Sequence, residues 1–521
     1  VLGLPTGSTP LGVYEELIRM HREDGLDLSN VVTFNLDEYF PMDPGSLQSY
    51  HRFMRENFFD HVNIPEAQIH IPRGDVAPEA VEDHAHAYER AIERAGGLDL
   101  VLLGIGRSGH IGFNEPGSGR ETRTRLVVLD EITRKDAASD FFGDEHVPRE
   151  AVTMGVGTIL DAREVILMAT GEHKAPILRR AAEEEPSREV TASYLQLHRN
   201  AAFYVDRAAA SALTREATPW LVREVEWTAE MAKRAVIWLS EQTGKALPRL
   251  DAADFHEHHL HGLARAYPSV DALCLQVFED LRRRITYRDG LPSARRVVVF
   301  SPHPDDDVIS MGGMLDKLVA NGNEVTIAYM TNGSVAVFDG DVKRYLRFVR
   351  MSLDTLDLDD GDAEAARAAV DGHIDFVRNK RPAEIDTDAV QRLKAHIRYA
   401  EAIHGIEVLG LHAANARFLD LPFYKTGLVR KNPIDEGDVQ IILDLLEETR
   451  PHHVFVAGDL SDPHGTHRMC YAAVAAALDR CAPGAGASAG SDGEAGRPLV
   501  WLYRGAWQEW EIHRADVFLP M

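Results

Sequence analysis

A glycine-rich loop that carries a histidine and a glutamate has the clearest chemical signal in this chain of 521 residues. The loop spans residues 104–116 and follows the apolar run Leu100–Leu103, which reads as a buried strand. Parallel α/β sheets bind ligands at loops of this kind, and glycine lets a substrate approach the backbone closely. We therefore predict that His110 and Glu115 meet a substrate. The alternative for His110 alone is a hydrogen-bonded loop histidine.

The glycine spacing of this loop also resembles a dinucleotide-binding fingerprint. Gly104, Gly106 and Gly109 have that spacing, and Asp130 follows at about the distance that the fingerprint requires. However, the third glycine of the fingerprint opens a helix whose N-terminus holds pyrophosphate. Here more glycines and Pro116 follow, and both residue types break helices. We therefore interpret the loop as a substrate site and not as a nucleotide site.

A second stretch has the residue types and spacing of a metal site. His303 and Asp306 follow the apolar run 297–300 on a tight loop and can face one metal ion, which leaves Asp305 free to act as a base. Much later, another apolar run leads to further acids and histidines: Asp459, Asp462, His464 and His467. The last two histidines have the i, i+3 spacing of one helix face. The alternative for both groups is a set of helix caps and loop hydrogen bonds.

Two earlier strand ends carry polar residues as well. The apolar start of the chain runs into the hydroxyl-rich loop 5–10, whose backbone amides and hydroxyls could cradle a phosphate ahead of a helix. A turn with an N-cap is the alternative. The apolar run 31–36 then delivers Asp37 and Glu38 to the same edge of the sheet, where a carboxylate can abstract a proton, although most such acids are helix caps or solvated.

The elements that must position these residues alternate along the chain. Helical spacing at 81–95 is followed by strand-like runs at 125–129, 164–168 and 202–205, which indicates a largely parallel sheet. Residues 220–243 read as one amphipathic helix that ends at Gly244. We expect an α/β protein with two Rossmann-like, largely parallel sheet domains joined by a helical connector. The expected boundaries are 1–215, 216–290 and 291–521.

Composition excludes several classes of partner. The formal charge of −26 argues against nucleic-acid binding and against an anionic membrane surface. We find no apolar run long enough to span a membrane and no signal-peptide pattern. Three cysteines that are far apart in the sequence suggest neither a disulfide framework nor a thiolate zinc site, which fits a reducing, cytoplasmic compartment. Val1 opens directly into an apparent strand without a methionine, which leaves room for a preceding segment.

The first half of the chain resembles the glucosamine-6-phosphate deaminases. The matching motifs are Leu4-Pro5-Thr6-Gly7, Thr33-Phe34-Asn35-Leu36-Asp37-Glu38-Tyr39, Gly109-His110-Ile111-Gly112-Phe113-Asn114-Glu115-Pro116 and Leu195-Gln196-Leu197-His198. The resemblance implies conversion of glucosamine 6-phosphate to fructose 6-phosphate and ammonia without a cofactor. By motif position, Asp37 would move a proton from C2 toward C1, and His110 with Glu115 would assist ring opening. The residues implied for phosphate binding are Thr6, Gly7, Ser8, Thr9 and Lys174.

Two positions depart from that family. Ser108 stands where the family usually has an aspartate, two residues before the histidine. Asp140 stands close to where the family has a phosphate-binding arginine, so that a nearby cation such as Arg134 or Lys135 would have to substitute. Either deamination is slowed or the substrate is bound differently.

The last part of the chain resembles the PIG-L/LmbE-like zinc deacetylases of N-acetylglucosamine conjugates, over about residues 291–521. The resemblance rests on the loop His303-Pro304-Asp305-Asp306, the later histidines, and Arg398 to Glu401. It implies that His303, Asp306 and His467 bind zinc. Asp305 would be the general base, and His464 would polarise or stabilise the developing oxyanion. Three protein ligands leave zinc an open position, as its catalytic sites require.

We therefore expect a bifunctional cytoplasmic amino-sugar enzyme. Its substrates would be an amino-sugar phosphate and an N-acetyl sugar, its cofactor would be zinc in the second domain alone, and it would form a homo-oligomer without nucleic acid or membrane partners. The alternative is a sugar-phosphate-binding sensor or scaffold joined to an active deacetylase. The absence of a basic helix-turn-helix candidate and the presence of Asp37, His110 and Glu115 count against that alternative.

Overall fold

A computed structural model describes residues 1–138, 140–141, 146–356, 359–381, 384–424, 432–458, 460, 462, 465–481, 497–505 and 508–520. The chain divides into two compact units. The first comprises Val1–Ala217 and Phe338–Ile385, and the second comprises Thr218–Val337 and Asp386–Met521.

The first unit is built on a parallel sheet with helices on both faces. Its strands are β1 (Leu2–Leu4), β2 (Thr33–Asn35), β3 (Asp37–Phe40), β4 (Ile69–His70), β5 (Leu100–Leu103), β6 (Arg125–Val128), β7 (Glu150–Thr153), β8 (Glu164–Ala169) and β9 (Ala201–Val205). Its helices before residue 218 are α1 (Leu11–Glu23), α2 (Tyr50–Asn57), α3 (Val81–Arg94), α4 (Glu131–Ala137), α5 (Val156–Leu160), α6 (Ala175–Glu183) and α7 (Thr214–Ala217). Six strands form the parallel sheet, in the order β4-β2-β1-β5-β8-β9.

Apolar side chains cover this sheet on both faces. Along β5, Val101 and Leu103 pack into one core cluster, and Leu102 packs into another on the opposite face. Successive residues of a strand point to opposite faces, so a strand that is buried on both faces needs a continuous apolar run. The run Leu100–Leu103 meets that need, which is why the sequence pattern predicted this strand correctly.

A second, antiparallel sheet was not expected. The chain leaves the parallel sheet after Leu36. The next strand, β3, pairs with β7, which also pairs with β6. The strand expected at residues 125–129 is present as β6, but it pairs antiparallel with β7 and does not belong to the parallel sheet. In β6, Leu126 and Val128 are exposed, as in an edge strand with one solvated face.

The second unit contains a helical segment and a second parallel sheet. The helical segment has α8 (Ala229–Thr243), α9 (Ala252–Glu257), α10 (His261–Ala266) and α11 (Val270–Arg283). The sheet segment has β10 (Arg296–Ser301), α12 (Asp306–Ala320), β11 (Glu324–Tyr329), α15 (Asp388–Val408), β12 (Ala416–Phe418), α16 (Glu436–Thr449), β13 (His453–Ala457), α17 (Thr466–Arg480) and β14 (Leu499–Tyr503). The sheet order is β12-β11-β10-β13-β14, and all its pairs are parallel. The first unit includes α13 (Asp339–Ser352) and α14 (Asp360–Asn379).

Helix α8 is shorter than the sequence pattern suggested. It begins after Thr228, whose hydroxyl accepts a hydrogen bond from the Met231 backbone N–H, and not at Trp220. It ends at Gly244, as expected, because that glycine takes a left-handed conformation with φ of 65°. The apolar spacing continued across residues 220–228, but the N-cap at Thr228 fixes the start of the helix. Among the described residues, no helix is long and apolar enough to cross a membrane.

Candidate active sites

The predicted site residues of the first unit follow four neighbouring strands. Asp37 comes after β2, the loop 5–10 after β1, the glycine-rich loop after β5, and Lys174 after β8. These strands are adjacent and parallel, so their carboxyl ends meet at one edge of the sheet. The parallel pairing therefore brings four distant parts of the sequence to the same edge.

His110 and Glu115 form a direct pair within the loop. The Nδ1 atom of His110 lies 3.1 Å from Oε2 of Glu115 and 2.9 Å from Oγ of Ser108. The Thr133 hydroxyl, on α4, lies 3.4 Å from the same Nδ1 atom. Burial opposes ionisation of Glu115, but the hydrogen bonds from His110 and Thr133 hold its pKa below the ordinary value. Sequence patterns could not identify Thr133, because no local spacing connects it to the loop.

The loop owes its shape to a buried amide. Asn114 donates hydrogen bonds from Nδ2 to the backbone oxygens of Ile111 (2.9 Å) and Met154 (2.8 Å). Its own Oδ1 accepts a hydrogen bond from Arg125, and its backbone oxygen accepts one from the Thr191 hydroxyl. No helix follows the glycines between β5 and β6, all of which the structure describes. The prediction that no helix follows the glycines is therefore confirmed, and a dinucleotide fingerprint requires a helix there.

Asp37 and Glu38 are both buried but have different surroundings. The Glu38 carboxylate accepts hydrogen bonds from the Ser49 hydroxyl and from the backbone N–H groups of Tyr39, Tyr50 and His51, so it caps α2. Within the described ranges, no group donates a hydrogen bond to the Asp37 side chain. Burial, together with the neighbouring charge of Glu38, raises the pKa of Asp37 to about 8. The sequence could not tell which of the two acids was the cap.

The Asp37 carboxylate borders the glycine-rich loop. A Cβ atom added to Gly112, whose φ is +54°, would lie 3.2 Å from Oδ2 of Asp37. A side chain at position 112 would therefore crowd the carboxylate, whereas glycine leaves the space beside it open.

The predicted phosphate-binding residues lie at the neighbouring strand ends. Gly7 has a left-handed φ of +90°, and no described side chain caps the N-terminus of α1. Lys174 donates a hydrogen bond from Nζ to the Ile105 backbone oxygen (2.8 Å), and burial lowers the pKa of its ammonium group. Lys135, one of the candidate substitute cations, forms an exposed ion pair with Glu131. The structure gives no contact that joins Lys174 to residues 6–9.

In the second unit, the three predicted ligands converge. His303 Nδ1 and His467 Nε2 each lie 3.1 Å from the same oxygen, Oδ2 of Asp306. One donor atom from each of these residues lies within 4.8 Å of the others, and this is the one group in the described residues that could hold a metal ion. Burial opposes ionisation of Asp306, but hydrogen bonds with both histidines hold its pKa well below the ordinary value. Two imidazole nitrogens and a carboxylate oxygen are a donor set that fits zinc.

Neighbouring parallel strands assemble this group as well. Strands β10 and β13 pair directly, and they lead to the loop of His303 and to helix α17, which carries His467. Asp305 lies next to the ligands, and its carboxylate accepts a hydrogen bond of 2.8 Å from Arg398 on α15. Asp459 and His464 lie outside the described residues.

Comparison with known proteins connects each unit to a family. Residues 1–204 match the family described as glucosamine-6-phosphate isomerases/6-phosphogluconolactonase. Residues 298–478 match the family described as GlcNAc-PI de-N-acetylase. The two matches begin close to β1 and β10, the strands that open the two parallel sheets.

One relative is similar along the whole chain, across both family matches. A glucosamine-6-phosphate deaminase-like protein of Bacteroides thetaiotaomicron is 40% identical over 541 aligned residues, which cover 100% of this chain and 80% of that protein. A glucosamine-6-phosphate deaminase of an Arthrobacter species is 50% identical over 213 residues, covering 41% of this chain and 81% of the other. Among solved structures, a monomeric glucosamine-6-phosphate deaminase is 41% identical, with a TM-score of 0.40 and coverage of 40% of this chain and 87% of that one.

The packing of Gly106 against His110 gives a test of the first site. A Cβ atom at position 106 would lie 2.1 Å from Nε2 of His110, closer than atoms can approach, so Gly106→Ala should displace the ring and lengthen its contact with Glu115. Histidine NMR signals of the full chain would report the change. Gly12→Ala is the matched control, because its Cβ would meet no atom within 4 Å. Unchanged His110 signals in Gly106→Ala would contradict the prediction.

Proposed function

We propose that this chain, which belongs to the family of glucosamine-6-phosphate deaminase-like proteins and matches both an isomerase family and a de-N-acetylase family, is a bifunctional amino-sugar enzyme. The first reaction would convert glucosamine 6-phosphate to fructose 6-phosphate and ammonia. The second would remove an acetyl group from an N-acetylglucosamine derivative with the help of zinc.

One observation carries the first activity: a buried carboxylate with a raised pKa borders a loop that holds a histidine–carboxylate pair. Such a carboxylate can take a proton from carbon at C2 and return it at C1. His110, oriented through Nδ1 by Glu115, is suited to exchange protons with sugar oxygens during ring opening. We propose that Lys174 and the loop from Thr6 to Thr9 hold the phosphate.

The second activity rests on the converging group of His303, Asp306 and His467. A zinc ion held by these residues would supply Lewis acidity to polarise the amide carbonyl. Asp305 would act as the general base that takes the proton from the attacking water. Its hydrogen bond with Arg398 would hold the carboxylate in one orientation. The proposed role of His464 as an oxyanion stabiliser stays a prediction from the sequence.

The two reactions would be consecutive. Removal of the acetyl group exposes the free amine that the deaminase reaction releases as ammonia, so one site would prepare the substrate of the other. We propose the domain boundaries 1–215, 216–290 and 291–521, which differ from the two compact units in assigning Phe338–Ile385 to the last domain. The separate apolar core of the helical segment supports them, since its buried members run from Trp220 to Val277. The homo-oligomeric state and the cytoplasmic location stay predictions.

Single substitutions should separate the two activities. Asp37→Asn removes the proposed carbon base and should lower ammonia release from glucosamine 6-phosphate by roughly 10²- to 10⁴-fold, with acetate release unchanged. Asp305→Asn should lower acetate release and leave ammonia release unchanged. Acetate release is screened with N-acetylglucosamine and its 6-phosphate. Loss of both activities from one substitution would refute the two-site proposal. Binding of glucosamine 6-phosphate without ammonia release by the unmodified chain would favour the sensor alternative.

The raised pKa of Asp37 predicts the pH dependence of deamination. The base is the ionised carboxylate, so kcat/KM should be high above a pH of about 8 and fall as the pH drops through that value. The profile should be corrected for ionisation of the substrate. Asp24→Asn, which removes an exposed carboxylate of the same unit, should leave the profile unchanged. An acidic limb near pH 4, the ordinary range of an aspartate, would contradict the prediction.

Zinc binding should depend on Asp306. Asp306→Asn should weaken zinc binding by more than about tenfold, because even residues that only support a metal ligand contribute that much. Zinc content after dialysis, measured by atomic absorption, gives the result. Asp316→Asn alters an exposed carboxylate on the same helix, α12, and should retain zinc as the unmodified chain does. Full retention of zinc by Asp306→Asn would argue against this ligand set.

A further inference from the structure

Ser108 lies beside the histidine–carboxylate pair of the first unit. Its hydroxyl oxygen lies 2.9 Å from Nδ1 of His110 and 3.5 Å from Oε2 of Glu115. It therefore touches both members of the pair that would assist ring opening. The residue is half-buried, and its side chain is a neutral hydroxyl.

Counting protons fixes the direction of these hydrogen bonds. Nδ1 of His110 faces three oxygens, from Ser108, Glu115 and Thr133, and can carry at most one proton. An ionised Glu115 has no proton to give, so the proton between this pair must sit on Nδ1. With Nδ1 protonated, the Ser108 hydroxyl cannot donate to it. The Ser108 hydroxyl can then donate its proton to Oε2 of Glu115, while the Ser108 oxygen accepts a hydrogen bond from Nδ1–H of His110.

The remaining ring nitrogen is then the one that can exchange a proton. Nε2 lies on the side of Gly106. The ring can occupy this position because glycine has no Cβ atom. Among described residues, Glu115 is the only carboxylate within hydrogen-bond distance of His110. The neutral Ser108 thus adds a hydrogen-bond partner at Nδ1 without adding a second negative charge.

We propose that Ser108 is a positioning residue of the deaminase site, whose hydroxyl bridges His110 and Glu115 and holds the imidazole with its proton on Nδ1 and with Nε2 available to the sugar. This inference rests on the proposed deaminase function for its catalytic consequence, although the bridge itself can be observed without substrate. Ser108 acts through His110 and does not touch the reacting atoms.

The test compares Ser108→Ala with Ser108→Thr in the full chain labelled with ¹⁵N-histidine. The unmodified chain should show a His110 Nδ1–H proton protected from exchange with water, assigned by its loss in His110→Gln. Ser108→Ala should lose that protection and lower kcat for ammonia release about tenfold at unchanged KM, because a hydrogen bond to a charged pair is removed. Ser108→Thr retains the hydroxyl and should restore both readouts.

Ser211→Ala is the matched control, since the hydroxyl of that serine donates to the Ala208 backbone oxygen and its loss should change neither readout. A protected Nδ1–H signal and an unchanged kcat in Ser108→Ala would overturn the proposal. So would a failure of Ser108→Thr to restore them, which would indicate a role in packing. If the unmodified chain releases no ammonia, the deaminase function fails, and the NMR comparison still decides whether Ser108 bridges the pair.

Discussion

Parallel hydrogen bonding between short strands is the constraint on which both candidate sites depend. Strands β1, β2, β5 and β8 run in one direction, so their carboxyl ends deliver the loop 5–10, Asp37, the glycine-rich loop and Lys174 to one edge. Pairing of β10 with β13 does the same for the two halves of the metal group. A slip of one residue in either register would turn every side chain of a strand to its other face. Continuous apolar runs such as Leu100–Leu103, buried on both faces, are therefore as important to the chemistry as the reactive residues.

Burial raises the pKa of two adjacent acids in the first unit, but hydrogen bonds oppose that rise in only one of them. Three donors at the start of α2, together with the Tyr39 backbone N–H, bond to Glu38 and partly offset the effect of burial, which still leaves its pKa above the ordinary value. The structure describes no donor to Asp37, and its pKa rises to about 8. A carboxylate that gains no hydrogen bonds in a buried position is a stronger base than an exposed one, which is the property that proton abstraction from carbon needs.

Features that follow directly from the residue types of one short segment could be predicted from the sequence. Glycines and Pro116 after β5 exclude a helix, and His303 with Asp306 implies a metal group. Features that depend on contacts between distant segments could not be predicted from the sequence. The apolar run at residues 126–129 fits either sheet, and only pairing with β7 decides which one. Thr133 approaches His110 because α4 follows β6, and no spacing in the sequence records that approach.

The two sites use the same contact, a histidine nitrogen 3.1 Å from a carboxylate oxygen, for different purposes. In the first unit one imidazole meets Glu115, and hydroxyls from Ser108 and Thr133 fill the remaining directions. Such a set can only accept and donate protons, so it fixes one ring nitrogen and leaves the other to react. In the second unit two imidazoles converge on one carboxylate oxygen, which is an arrangement that a cation stabilises better than a single proton can. The number of nitrogens around the carboxylate, more than the distance between them, therefore separates a proton-transfer site from a metal site.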